Sequence, residues 1–123
     1  MSKTGYYTHD LCRKHDMGPG HPECPDRISA IEYRLLISGV FDALERMDSP
    51  PASYSDIELA HDRMYIAAIR GLTDRLIEEQ QAGGPEYAQI DTDTSINAYT
   101  FDAARRSAGA ALAATDAVIS GQL

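Results

Sequence analysis

Eleven residues constrain this chain more than any others: His15-Asp16-Met17-Gly18-Pro19-Gly20-His21-Pro22-Glu23-Cys24-Pro25. Two glycines and three prolines in that span cannot continue a helix or a central strand. Each proline ring fixes φ, so the segment is predicted to be a stiff loop rather than a floppy one. With Cys12 just before it, the loop carries Cys-x2-His and His-x2-Cys pairs separated by five residues: Cys12 and His15, then His21 and Cys24. Thiolate and imidazole are preferred zinc ligands, and four of them could close a tetrahedral structural site. The separation is very short for a zinc finger, however, and the prolines beside the second pair restrict wrapping around a metal. The other reading is a loop whose histidines make ordinary hydrogen bonds.

Around that loop the pattern alternates between strand and helix. Tyr6 to Thr8 combines aromatic and β-branched residues and is predicted to be a strand. A helix is expected from about Asp26, with Pro25 at its start and Ile28, Ile31, Leu35 and Leu36 forming one apolar stripe. Gly39 is its expected stop, and Asp48 to Ser53, with Pro50 and Pro51, reads as a connector. Ser55 and Glu58 have the spacing of a capping box. A second helix is predicted over Arg63 to Gln80, ended by Gly83-Gly84-Pro85. Tyr87 to Ile90 is a candidate strand, and Asp91 to Ala98 a polar loop.

The last helix is expected from Phe101 to Ile119, with Thr100 as N-cap. Its middle is mostly alanine, with Gly109 among them. Small residues allow close approach to another backbone, which predicts a helix buried between a sheet and other helices and anchored by Phe101, Leu112, Val118 and Ile119. High helix propensity accounts for the alanines equally well. The alternation implies an α/β layered fold, although the strands are few for a complete sheet.

Composition narrows the function classes. A net charge of -8 without clustered Lys and Arg gives no support to nucleic-acid binding. No run of 18 apolar residues exists, so no membrane span is expected, and the first ten residues lack the apolar stretch of a signal peptide. The cytoplasm is therefore the default location, and two cysteines, Cys12 and Cys24, are too few for a disulfide scaffold. His9 and His61 stand alone and read as structural. Asp91 and Asp93 follow a candidate strand; alternation would aim both the same way, whereas a solvated turn would tie them locally. No phosphate loop, no Gly-x-Ser-x-Gly elbow and no paired-histidine metal motif is present.

The segment from His15 to Ile28 resembles the opening of the histone deacetylase superfamily, most closely its class II-type bacterial members, the acetoin-utilisation proteins and acetylpolyamine amidohydrolases. Ala60-His61-Asp62-Arg63-Met64-Tyr65-Ile66 is similar to the family's His-Asp-x-x-Tyr segment. Asp91-Thr92-Asp93-Thr94, followed by Thr100 to Ala110, is similar to its Asp-Thr loop and Ala-rich helix. The resemblance implies the N-terminal part of an arginase-deacetylase three-layer α/β fold with a parallel sheet, incomplete in this chain. It implies zinc-dependent hydrolysis of an acetylamide, with the zinc ligands beyond Leu123. Residues 1–123 are then the N-terminal portion of a catalytic domain, inactive alone and without a metal of their own. His21, Pro22 and Glu23 match the rim of a substrate tunnel, Asp93 an aspartate that accepts substrate hydrogen bonds, and Arg27 an arginine lining an internal cavity. A second structural zinc of class IIa-like relatives involves the position of His21, but the partner cysteine near Gly83-Gly84 is absent.

Three functions compete on these grounds. The first is part of a deacetylase acting on acetyl-lysine or acetylpolyamine-like amides. The second is a non-catalytic module that binds a partner or itself, since an incomplete sheet leaves edges and apolar faces that tend to pair into a homo-oligomer. The third is a small structural-metal protein using Cys12, His15, His21 and Cys24.

Overall fold

A computed structural model describes residues 3–123. Strand β1, Thr4–Thr8, lies parallel to strand β2, Leu44–Asp48, with Thr4 opposite Leu44 and Thr8 opposite Asp48. The link between them holds a 3-10 turn at Asp10–Arg13, the stiff loop, and helix α1, Asp26–Ile37. Helix α2, Tyr54–Glu58, and the long helix α3, Arg63–Gln81, follow. A short antiparallel ladder of β3, Ala88–Gln89, and β4, Ser95–Ile96, then leads into helix α4, Thr100–Ile119.

Two of the helices, α2 and α3, begin where a side chain accepts from their first backbone amides. Asp62 caps α3 by accepting from the Met64 and Tyr65 amides, and the carboxylate also suits the positive end of the helix. Gly39 stops the chain after α1 in a left-handed conformation (φ 74°) that a side chain would strain.

Four expectations need correction. The cap of α2 is Ser53, whose hydroxyl accepts from the Asp56 amide, two residues earlier than the Ser55 and Glu58 spacing suggests. Thr100 is the first helical residue of α4, not its cap. Strand β2 goes unrecognised in the sequence because Glu45, Arg46 and Asp48 break any apolar run, and β4 interrupts the expected 91–98 loop. The larger side chains of α4 are not all anchors: Phe101 is buried, whereas Leu112, Val118 and Ile119 are exposed.

What α4 buries instead is its small-residue side, with Ala103, Gly109 and Ala117 beside Phe101. This helix packs on β1, on the 3-10 turn and on α3. A Cβ at Gly109 would stand 1.8 Å from the Pro50 carbonyl oxygen, so the 49–53 connector runs directly across the helix there. Arg105 and Arg106 fasten it: Arg105 donates twice to the Ala52 carbonyl, and Arg106 donates to the Ser49 carbonyl at 2.8 Å. Ser49 and Ala52 are buried beneath this clamp. The core is completed by Ile66, Leu76 and Ile96.

Candidate functional site

Two loops meet at one end of α4. The first is the proline-rich segment 15–25, and the second is the stretch from β3 to α4, residues 90–99, which holds the short β4. His21 from the first and Asp93 from the second lie 3.4 Å apart, Nε2 to Oδ1, although 72 positions separate them in the chain. His21 is oriented from its other side, where Nδ1 accepts from the Glu23 amide at 3.0 Å. The ring therefore presents Nε2 outward as the group that meets Asp93. Asp93 itself is 92% exposed, so its carboxylate retains accepting capacity for an incoming donor.

Asp91 builds the turn that places Asp93. Its carboxylate accepts from the Asp93 amide at 2.8 Å. That bond, and next the Thr94 hydroxyl, favour the charged form and hold Asp91 below the ordinary carboxylate range. The two aspartates are thus joined in an Asx turn rather than aimed together from a strand. Glu23 pairs with Arg27 across one turn, at the start of α1, and both are substantially exposed. Pro22 is exposed beside them.

The four candidate metal ligands do not converge. Cys12 faces α4, where its thiol donates weakly to the Ala103 carbonyl, and burial raises its pKa against the opposing pull of Arg106. His15 is engaged by Thr100, and His21 by Asp93 and the Glu23 amide. Cys24 remains a free thiol. Among the described residues, no group of three or more His, Cys, Asp or Glu is placed to hold a metal ion. The Cys12, His15, His21, Cys24 site is therefore not assembled among the described residues, because the stiff loop directs its two halves to different neighbours.

Sequence reasoning missed Asn97, which joins the two loops. It is buried, and its Nδ2 donates to the Lys14 carbonyl at 2.7 Å. Its Oδ1 accepts from the Tyr99 amide at 3.0 Å, and its own amide donates to the Thr100 hydroxyl at 2.9 Å. This is a reciprocal cap two residues before Tyr99, which offers none. The Asn97-x-x-Thr100 spacing is its one signal in the sequence.

Beside the loops, α3 and α4 flank an open groove of about 580 Å³. Ile66, Ile69, Ile96 and Phe101 line it, together with His15 and His61. Among the described residues, no helix is long and apolar enough to cross a membrane.

The histone deacetylase domain model matches residues 21–123. A histone deacetylase-like amidohydrolase of Pseudomonas aeruginosa is 30% identical over 98% of this chain and 33% of its own length. A probable deacetylase of Archaeoglobus fulgidus is 31% identical over 94% of this chain and 30% of its own. The polyamine deacetylase HDAC10 of Homo sapiens is 33% identical over 81% of this chain and 15% of its own. The crystal structure of the HDA15 HD domain superposes with a TM-score of 0.82 at 23% identity, over 99% of this chain and 33% of that one. The chain thus spans about a third of the length of the first curated relatives it matches.

Proposed function

The chain belongs to the histone deacetylase family and carries an incomplete part of its α/β fold, and from that membership we propose that residues 1–123 form the N-terminal portion of a catalytic domain that hydrolyses acetylated amines. The observation that carries the reading is the meeting of His21 with Asp93 across 72 positions. In this reading His21, Pro22, Glu23 and Asp93 form the rim through which substrate enters, and Arg27 borders the cavity beneath it. An exposed carboxylate at a rim accepts an amide N–H, and Asp91, Asp93 and Glu23 together attract a cationic chain such as a polyamine or a lysine peptide. These residues orient a substrate; they supply no nucleophile.

Zinc is the group this reading implies for the whole protein. The described residues do not fit it, since no three donors meet. This reading places the bond-breaking step outside them and expects the 123-residue chain to be inactive by itself. The free thiols of Cys12 and Cys24 suit a reducing compartment such as the cytoplasm.

The test is a panel of acetyl-lysine peptides and acetylpolyamines, offered with zinc to the chain alone and to the gene's whole product. The chain alone should give no turnover, and the whole product should hydrolyse at least one member and lose activity to a chelator. In the whole product, Asp93→Ala should raise KM about 10-fold or more, the cost of one charge-assisted hydrogen bond. Turnover by the chain alone, a silent whole product, or an unchanged KM would each overturn the proposal.

A second reading, a module that binds itself, is favoured by the apolar surface left open: Leu59, Met64 and Ile119 are each at least 80% exposed.

A further inference from the structure

We propose that His15, Thr100 and Asn97 form a positioning network that fixes the rim, with His15 held as the Nδ1–H tautomer. The assignment follows from counting donors. Asn97 has one orientation, because the Tyr99 amide N–H faces its Oδ1 and the Lys14 carbonyl oxygen faces its Nδ2. Its side-chain oxygen is therefore an acceptor where it meets the Thr100 hydroxyl, 3.1 Å away. A threonine hydroxyl has one proton. That proton goes to Asn97 Oδ1, while the Asn97 amide donates to the same hydroxyl oxygen at 2.9 Å. The third neighbour of Thr100 Oγ1 is His15 Nδ1 at 2.8 Å. With the threonine proton assigned to Asn97 Oδ1, Nδ1 is the donor to Thr100 Oγ1. A neutral His15 then carries its proton on Nδ1 and leaves Nε2 as an acceptor.

The consequence is mechanical. Lys14 and His15 are the root of the loop that carries His21. Asn97 and Thr100 close the loop that carries Asp93 and open α4. One network therefore sets the distance between the two loops, and the His21–Asp93 approach inherits its geometry from it. None of the three residues is placed to touch a substrate at the rim; each acts through His21 and Asp93. That the rim receives substrate rests on the reading given under Proposed function, but the network and the tautomer do not.

The test is a long-range 1H–15N spectrum of the histidine rings in the 15N-labelled chain, with the rings neutral, together with the backbone amide signals. His15 should show a protonated Nδ1 and an unprotonated Nε2. Thr100→Val, which keeps the shape and removes the hydroxyl, should abolish that preference and shift the His21 and Asp93 amide signals. Thr100→Ser should restore both. Asp93→Asn should leave the His15 tautomer unchanged. If Thr100→Val does not fold, His15→Gln should hold the rim signals, because its amide can still donate to Thr100, whereas His15→Leu should move them. An Nε2–H tautomer in the unaltered chain overturns the network. Rim signals that stay in place when the hydroxyl or the His15 donor is removed overturn its positioning role. Because the readout is spectroscopic, a whole protein without deacetylase activity would refute the functional reading and leave this inference standing.

Discussion

Gly109 and Gly71 are both interior helical glycines, and their surroundings are opposite. At Gly109 an added methyl meets the Pro50 carbonyl oxygen at 1.8 Å and the Ala52 nitrogen at 2.8 Å, both backbone atoms that cannot swing aside. At Gly71, in α3, it meets nothing within 4 Å. Gly109→Ala should therefore destabilise by about 1–3 kcal/mol, as overpacked sites do. Gly71→Ala should stabilise by up to about 1 kcal/mol through helix propensity. Thermal denaturation of the two variants decides it; a Gly109→Ala protein as stable as its parent would mean the connector does not press on α4. The alanine-rich pattern makes such an approach legible in the sequence, but not its place. Composition treats Ala103, Gly109 and Ala110 alike, while only a neighbouring backbone distinguishes them. Asn97 is illegible for a related reason: its partner, the Lys14 carbonyl, lies 83 positions away and every residue type has a carbonyl.

Helices α1 and α3 are readable because a glycine stop follows each, and α4 because its alanine-rich middle has high helix propensity. Asp62 shows how much of that depends on one side chain, since it is the cap for both the Met64 and Tyr65 amides of a 19-residue helix. Asp62→Ala should cost about 1 kcal/mol, and Asp62→Asn much less, because the side-chain oxygen is retained. Urea midpoints of the three proteins check this, and equal losses from both substitutions would point to charge rather than the hydrogen bond. The strands are less legible. Strand β2 has the sequence Leu44-Glu45-Arg46-Met47-Asp48, whose charged residues conceal its pairing with β1. Strands β3 and β4 are two residues each, too short for any alternation to register. Of the candidate site, the sequence resemblance supplied His21 and Asp93; their contact required the fold.

Across the whole molecule, apolar side chains remain at the surface of α1, where Ile31, Leu36 and Ile37 are each more than half exposed. No residue of α1 is buried; polar contacts bind its inner side, from Tyr6 and Arg13 to Glu32. Such faces together with a two-stranded sheet favour association. The chain should therefore elute above its monomer mass of 13.5 kDa in size-exclusion chromatography with light scattering. Replacing Leu36 and Ile37 by Lys should return it to that mass, and a monomeric parent at high concentration would contradict the expectation.

The hydroxyl of Tyr7 rests on the Ala113 carbonyl, 106 positions downstream. A ribosome adding about 5–20 residues per second needs roughly 5–20 s to cover that distance. For that interval the first strand has emerged and its supporting helix has not been made. Strand β1 therefore spends its early life in the care of whatever attends nascent chains, and settles only when synthesis of α4 is nearly finished.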